Sequence, residues 1–395
     1  MMKLRQKIYT VLCLIVGMCT LTGCIEKYEA DIPTDNTGLL VVEGTICPGE
    51  NTFILTRSQV VNYSDAPQLV ENARVTVRGT DGAEYETDYK SGYYACTIDA
   101  LNPDVEYYLH IECDGEVYES DPQTPLPTEK IADVRGVQDT PQSDIDILVT
   151  PAEPFDATQA RYYSWKYDET WEVHPEYTSF VYYDVKLKSH VEDPNYYPRR
   201  GWKDSKGNTI MVGSSANYDG QHISQLKLYD ISRASDKMFY RYSGLIHQRA
   251  ITKAEYEYEL ARRQAGSEMG GLFTPQPSAL PTNIHCLTSK NHVIGFVGCS
   301  LNTSEYRFFL NESDYSIVIP VGDDDRLWVD NPTHKDCCQL LSQRMVLCEW
   351  GDPMNTEDGV VIRTAWARDF QVDVRLTGAY VQEPSYWNSK NNISY

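Results

Sequence analysis

The five residues Arg74-Val75-Thr76-Val77-Arg78 constrain the fold more than any other stretch. They alternate with a period of two, which only an extended strand turns into one apolar and one polar face. The same grammar recurs on both sides. Leu39 to Ile46 is a β-branched run and Thr52 to Arg57 follows it, while Asp81-Gly82 and Lys90-Ser91-Gly92 punctuate the next strands. Tyr107 to Cys113 and Glu116 to Glu119 flank Asp114-Gly115. This is a strong hairpin signal, because both turn residues tolerate positive φ. Roughly seven short strands in about 90 residues predict a small sandwich, immunoglobulin-like or transthyretin-like, over residues 37–127. Pro122, Pro125 and Pro127 read as a stiff linker after it.

Residues 128–395 read as a second, larger β-sandwich domain, which makes the chain all-β in class. Ile145 to Val149 alternates, Tyr162 to Trp171 is a long aromatic strand, and Phe180 to Leu187 follows. Further strands are expected at Ile284 to Leu287, His292 to Cys299, Tyr306 to Leu310, Tyr315 to Val321, Val360 to Trp366 and Phe370 to Leu376. One inserted helix is expected near 253–265. Thr252 and Glu255 have the spacing of a capping box, Glu259 and Arg263 that of a favourable i,i+4 pair, and Gly266 suits the position after the last turn. Tyr256 and Leu260 share one face.

Composition bounds the function. The 57 acidic residues outnumber the 35 Lys and Arg and leave a net charge of −22. That excess argues against nucleic acid and against a polybasic membrane surface. Tyrosine is abundant, 29 against 9 Phe, which suits half-buried strands and binding surfaces.

The amino terminus has the three parts of an export signal over residues 1–23. Lys3, Arg5 and Lys7 precede the apolar run Ile8 to Leu21, which is short for a membrane span. Leu21-Thr22-Gly23-Cys24 resembles the bacterial lipobox, in which small residues precede the cysteine that is acylated. Cys24 is therefore the expected lipidation site, carrying diacylglycerol and palmitate-type chains. Two or three such chains anchor stably, at about 0.8 kcal/mol per buried methylene. Residues 24–36 read as an acidic tether. Cys47, Cys96, Cys113, Cys286, Cys299, Cys337, Cys338 and Cys348 would then meet an oxidising compartment, where some are expected to pair. Sequence does not choose among the connectivities.

Four stretches resemble one family of Bacteroidota outer-membrane lipoproteins, the domain of unknown function (DUF) 4249 family. They are Leu40 to Gly44; Tyr162 to Glu172; the helix Thr252 to Arg263 with Gly270 to Phe273, Pro275 to Ser278 and Pro281 to Leu287; and Asp373 to Gly378 with Pro384 to Trp387. The pattern departs at Gln371-Val372-Asp373-Val374-Arg375, which lacks the two cysteines of the family's usual Cys-x-Asp-Cys-Arg, so a family disulfide there does not carry over. The resemblance implies a partner of TonB-dependent receptors in the outer membrane and assigns no chemistry.

No catalytic constellation stands out, and neither a cofactor nor a metal is expected. His285 and Cys286, with His292 nearby, are candidate metal ligands, but the alternation of a strand sends neighbours to opposite faces, which favours structural roles. Asp323-Asp324-Asp325 lacks the 1-3-5 spacing and glycine of a calcium loop. Glu169 and Glu172 are out of phase along a strand, so nothing fixes them as a glycosidase pair. Two candidate ligand or partner surfaces are the row Tyr163, Trp165 and Tyr167, a platform if exposed but more readily read as core, and the loop carrying Gly270, Gly271, Phe273, Pro275 and Pro277, the better surface, which prolines would stiffen for docking. The expectation is a surface-exposed, lipid-anchored, non-catalytic accessory or ligand-capturing partner of a TonB-dependent transporter. An adhesin or structural component is the alternative, and a glycan- or peptide-acting hydrolase comes third.

Overall fold

The computed structural model describes residues 38–58, 67–207, 209, 211–267, 280–320, 322–357 and 359–387. Cys24 and the loop with Gly270, Gly271, Phe273, Pro275 and Pro277 lie outside the described residues. The chain is all-β, and its strands form several sheets.

The first sandwich begins with β1 (Leu40–Ile46), β2 (Gly49–Arg57), β3 (Arg74–Gly79), β4 (Tyr93–Ile98), β5 (Tyr107–Cys113) and β6 (Glu116–Ser120). One sheet contains β1, β2 and β4, and the other contains β3, β5 and β6. Alternation drives Leu40, Val42 and Ile46 of β1, Phe53 and Leu55 of β2, and Leu109 and Ile111 of β5 into one core. The expected turn at Asp114-Gly115 joins β5 to β6, and both turn residues have positive φ.

The second sandwich opens with β7 (Ile131–Val137), β8 (Ile145–Pro151), β9 (Tyr162–Val173), β10 (Gly201–Lys206), β11 (Met211–Ser214), β12 (Leu226–Ile231) and β13 (Arg241–Ile251). Sheet β7-β8-β12 faces a sheet built on the long pair β9-β13, in register from Tyr162↔Ile251 to Trp171↔Tyr242. Ile145, Ile147 and Val149 meet Tyr163, Trp165, Tyr242 and Ile246 between them. The indole N–H of Trp165 donates to Gln248 (2.9 Å), whose amide donates to the Glu129 carbonyl (2.8 Å). A buried indole N–H usually finds a partner of this kind.

Helix α1 (Lys253–Ser267) follows β13 directly, and the chain then returns to the first sandwich as β14 (Ile284–Cys286) and β15 (Val293–Cys299). β15 lies parallel to β1, from Leu40↔Val293 to Ile46↔Cys299, and β14 pairs with β6. The first sandwich is therefore not made by residues 37–127 alone. A later segment completes both of its sheets and places Val293 and Val297 in its core. β15 is apolar throughout, as a strand covered on both faces must be. β16 (Ser304–Asn311) then rejoins the second sandwich beside β13.

A smaller lobe closes the chain: β17 (Leu327–Asp330), α2 (His334–Ser342), β18 (Met345–Trp350) and β19 (Arg363–Arg368), with order β17-β19-β18 and its own core around Leu347 and Trp366. α2 was not expected, although its start is a capping box. Thr333 Oγ1 accepts from the Asp336 N–H while the Asp336 carboxylate accepts from the Thr333 N–H. Two expected strands are also corrected. Residues 315–320 are not extended into a ladder, and Phe370 to Leu376 forms a short helix at Asp369–Val372 followed by a 3-10 turn at Val374–Thr377.

Candidate binding cleft between the two sandwiches

A cleft of about 370 Å³ separates β1 and β2 of the first sandwich from β9 and β13 of the second, with α1 over it. Strand alternation builds its walls. Glu43 and Thr45 face out of β1 because Val42 and Ile46 face in, and Ser164 and Lys166 face out of β9 because Tyr163 and Trp165 face in. Trp165 borders the floor, while its ring belongs to the core of the second sandwich.

The roof departs from the expected helix. Its buried face carries Glu255 and Tyr258, with half-buried Glu259 and Arg262, whereas Tyr256 is only half-buried and its ring packs on Tyr162. Half of the expected capping box forms, since Thr252 Oγ1 accepts from the Glu255 N–H at 3.1 Å. The Glu255 carboxylate is instead bound in bidentate fashion by the guanidinium of Arg249 at the end of β13. Glu259 pairs with Arg262 (3.0 Å), not with Arg263, and Arg262 also reaches Glu43 on β1. Gly266 lies within the helix rather than after it.

Electrostatics follow from burial. Desolvation raises the Glu259 pKa above the usual carboxylate value, Arg262 opposes that rise, and Glu255 adds to it. Burial works against the charge of Arg249, but Glu255 outweighs it and the guanidinium pKa is raised. Burial also lifts the Cys47 thiol at the cleft edge, against the pull of Arg249 and Lys166. Glycine at 298 makes the arrangement fit. A Cβ there would stand 2.6 Å from both Glu255 carboxylate oxygens and 2.7 Å from Arg249 Nη1.

The aromatic row is core, the reading favoured for it over an exposed platform. Tyr163 and Trp165 are 2% and 1% exposed, and Tyr167 stacks on Tyr229 at 4.0 Å. Of the three, Trp165 alone also borders the cleft. The residues that define the cleft, Glu43, Arg249, Glu255, Glu259 and Arg262, were not singled out as a site. The one signal for them is the 255, 259, 262 spacing, which places three charged side chains on one helical face.

The remaining candidates are held by their own neighbours. His285 contacts Asp121 (3.0 Å), and the Cys286 sulfur lies near Ser289 and Thr288. Among the described residues no group of three His, Cys, Asp or Glu is placed to hold a metal ion. Hydrogen bonds from Arg326 hold Asp324 down to about 2, and Asp325 accepts from Tyr177 and Gln371. Glu169 is taken by Lys237 and Tyr242, and Glu172 by His174 and Trp387. Glu172 also borders a second hollow of about 290 Å³ with Arg200, Tyr240 and Asn311. The Cys338 sulfur lies 3.8 and 3.6 Å from the two ring nitrogens of His334, whose Nδ1 also meets the Tyr183 hydroxyl at 2.8 Å. The eight cysteines expected to include disulfides are all free thiols.

No curated protein matches this chain. The family model described as Domain of unknown function (DUF4249) matches residues 25–306, a span that contains both cleft walls and the roof helix. The chain belongs to the DUF4249 family.

Proposed function

We propose that this chain is a surface-exposed outer-membrane lipoprotein, anchored through acylated Cys24, that captures a ligand in the cleft beneath α1 and presents it to a TonB-dependent transporter without transforming it. The observation that carries the reading is the cleft itself. It lies at the junction of two sandwiches, where ligand sites concentrate, and its charged side chains are committed to one another rather than aimed as nucleophile and base. The short apolar run ending in Leu21-Thr22-Gly23-Cys24 supports the anchor. The acidic surface supports solubility of a head held off the membrane.

The test is affinity purification of the full-length protein from detergent-solubilised membranes of the native host. The expected result is co-purification of a transmembrane barrel protein with a plug domain, together with a mature amino-terminal peptide bearing acyl chains on Cys24. Recovery of no barrel protein in several mild detergents, or an uncleaved and unmodified Cys24, overturns it.

A further inference from the structure

We infer that the cleft takes a neutral, hydroxyl-rich molecule, one or two sugar rings in size, in preference to an ion; the inference rests on the ligand-capture reading and deepens it. Four carboxylates line the cleft, Glu43, Glu50, Glu255 and Glu259, against the cations Arg249, Arg262 and Lys166. The four buried or half-buried members are already matched. Arg249 holds Glu255 through both guanidinium nitrogens, and Arg262 lies between Glu259 and Glu43. An anionic or cationic ligand seated against the roof would have to displace one member of such a pair and leave the other charged and unmatched in a partly dry site, which is strongly disfavoured.

A hydroxyl has no such conflict. It donates to a carboxylate lone pair that the guanidinium leaves unused, and accepts from a spare N–H, while each pair stays made. Paired guanidinium and carboxylate groups thus offer alternating fixed donors and acceptors along the roof. The hydroxyls of Thr45, Thr52 and Ser164 offer more on the walls. A volume of about 370 Å³ falls at the small end of ordinary ligand sites, with room for roughly one or two sugar rings.

The test uses the purified chain with maltose, cellobiose and lactose as neutral probes and putrescine and glutarate as charged ones, read by saturation-transfer NMR and titration calorimetry. At least one disaccharide should bind with millimolar or tighter affinity, changing less than about twofold between low and high salt because no ion pair forms or breaks. Ser164→Tyr, which fills the cleft from its wall, should weaken that binding at least tenfold with the melting temperature kept, and Thr45→Tyr serves from the opposite wall if the first variant misfolds. Salt-sensitive binding of putrescine or glutarate, abolished by the same variants, overturns the ligand class and leaves the capture reading intact. Binding of no disaccharide at about 10 mM also overturns the class; the membrane purification then decides the capture reading alone.

Discussion

Arg262 on α1 and Glu43 on β1 join the two sandwiches across the cleft through an ion pair, and Glu259 holds the same guanidinium from one turn back along the helix. The helix is thus fixed at its start to β13 through Glu255 and Arg249, and at its middle to the other sandwich. Glu43 and Arg262 are 47% and 29% exposed, so solvent screens the pair. Arg262→Ala should therefore lower global stability by less than about 1 kcal/mol. Its local effect should be larger. Hydrogen exchange of amides 253–267 should speed up while β9 and β13 stay protected, because the helix alone loses a tether. Mass-spectrometric exchange measures this, and unchanged protection of the helix would show that the ion pair does not hold the roof.

Gly298 is tested by one methyl group. The added Cβ would overlap the Arg249–Glu255 pair, which is bidentate and backed by β15 and so has little room to move. Gly298→Ala should destabilise by about 1–3 kcal/mol, the usual range for overpacking. Gly322→Ala is the control: the nearest atom to its added Cβ is a Glu176 oxygen at 3.8 Å, and the change should stay within about 0.5 kcal/mol. Chemical denaturation of both variants makes the comparison.

The fold class was legible because period-two alternation and Asp-Gly turns are local signals, and both the strands of the first sandwich and the Asp114-Gly115 hairpin follow from them. The partnership of β15 with β1 was not legible. A parallel pair spanning some 250 residues of chain leaves no local trace, and an apolar run such as Val293 to Cys299 reads the same in any sheet. The helix is legible from its cap, but its orientation is not: the shared face of Tyr256 and Leu260 does not reveal that ion pairing to Arg249 and Glu43 turns the Glu255, Tyr258 and Arg262 face inward. The aromatic strand reads as core ahead of ligand platform, and packing against the opposing strand Ile145 to Pro151 makes it so.

Trp387, near the end of the described chain, locks the tail to the second sandwich. Its ring meets Trp202 edge-on at 6.2 Å and Phe309 at 5.8 Å, and its N–H donates to Glu172 at 3.2 Å. Trp387→Ala should cost about 3–5 kcal/mol, the range for deleting a fully buried aromatic. It should also free the segment from Pro384 onward to proteolysis. Thermal melting and limited digestion give the two readouts, and a melting temperature near that of the parent would show that the tail is not part of the cooperative unit.

Glu259 and Glu172 should give pH dependences of opposite sign. The folded-state pKa of Glu259 is raised, by desolvation first and by the nearby Glu255 carboxylate, against the pull of Arg262 and Arg249. The folded state then binds its proton more tightly than the unfolded state does, so this group's contribution to stability declines as pH rises through the window above the ordinary carboxylate value. Removing the charge removes the decline: Glu259→Gln should gain on the parent progressively as pH rises from about 4 to about 7. Glu172 is the reverse case. Burial works to raise its pKa, but hydrogen bonds from His174 and Trp387 and the charges of His174 and Arg200 outweigh burial and hold it below the ordinary value. Its contribution is complete above the unfolded pKa and is lost as pH falls through the folded one, so Glu172→Gln should be costly at neutral pH and nearly silent in acid. Urea midpoints of the parent and both variants across that range decide the matter. Parallel curves for the two variants would show that the two carboxylates do not differ in the way their surroundings require.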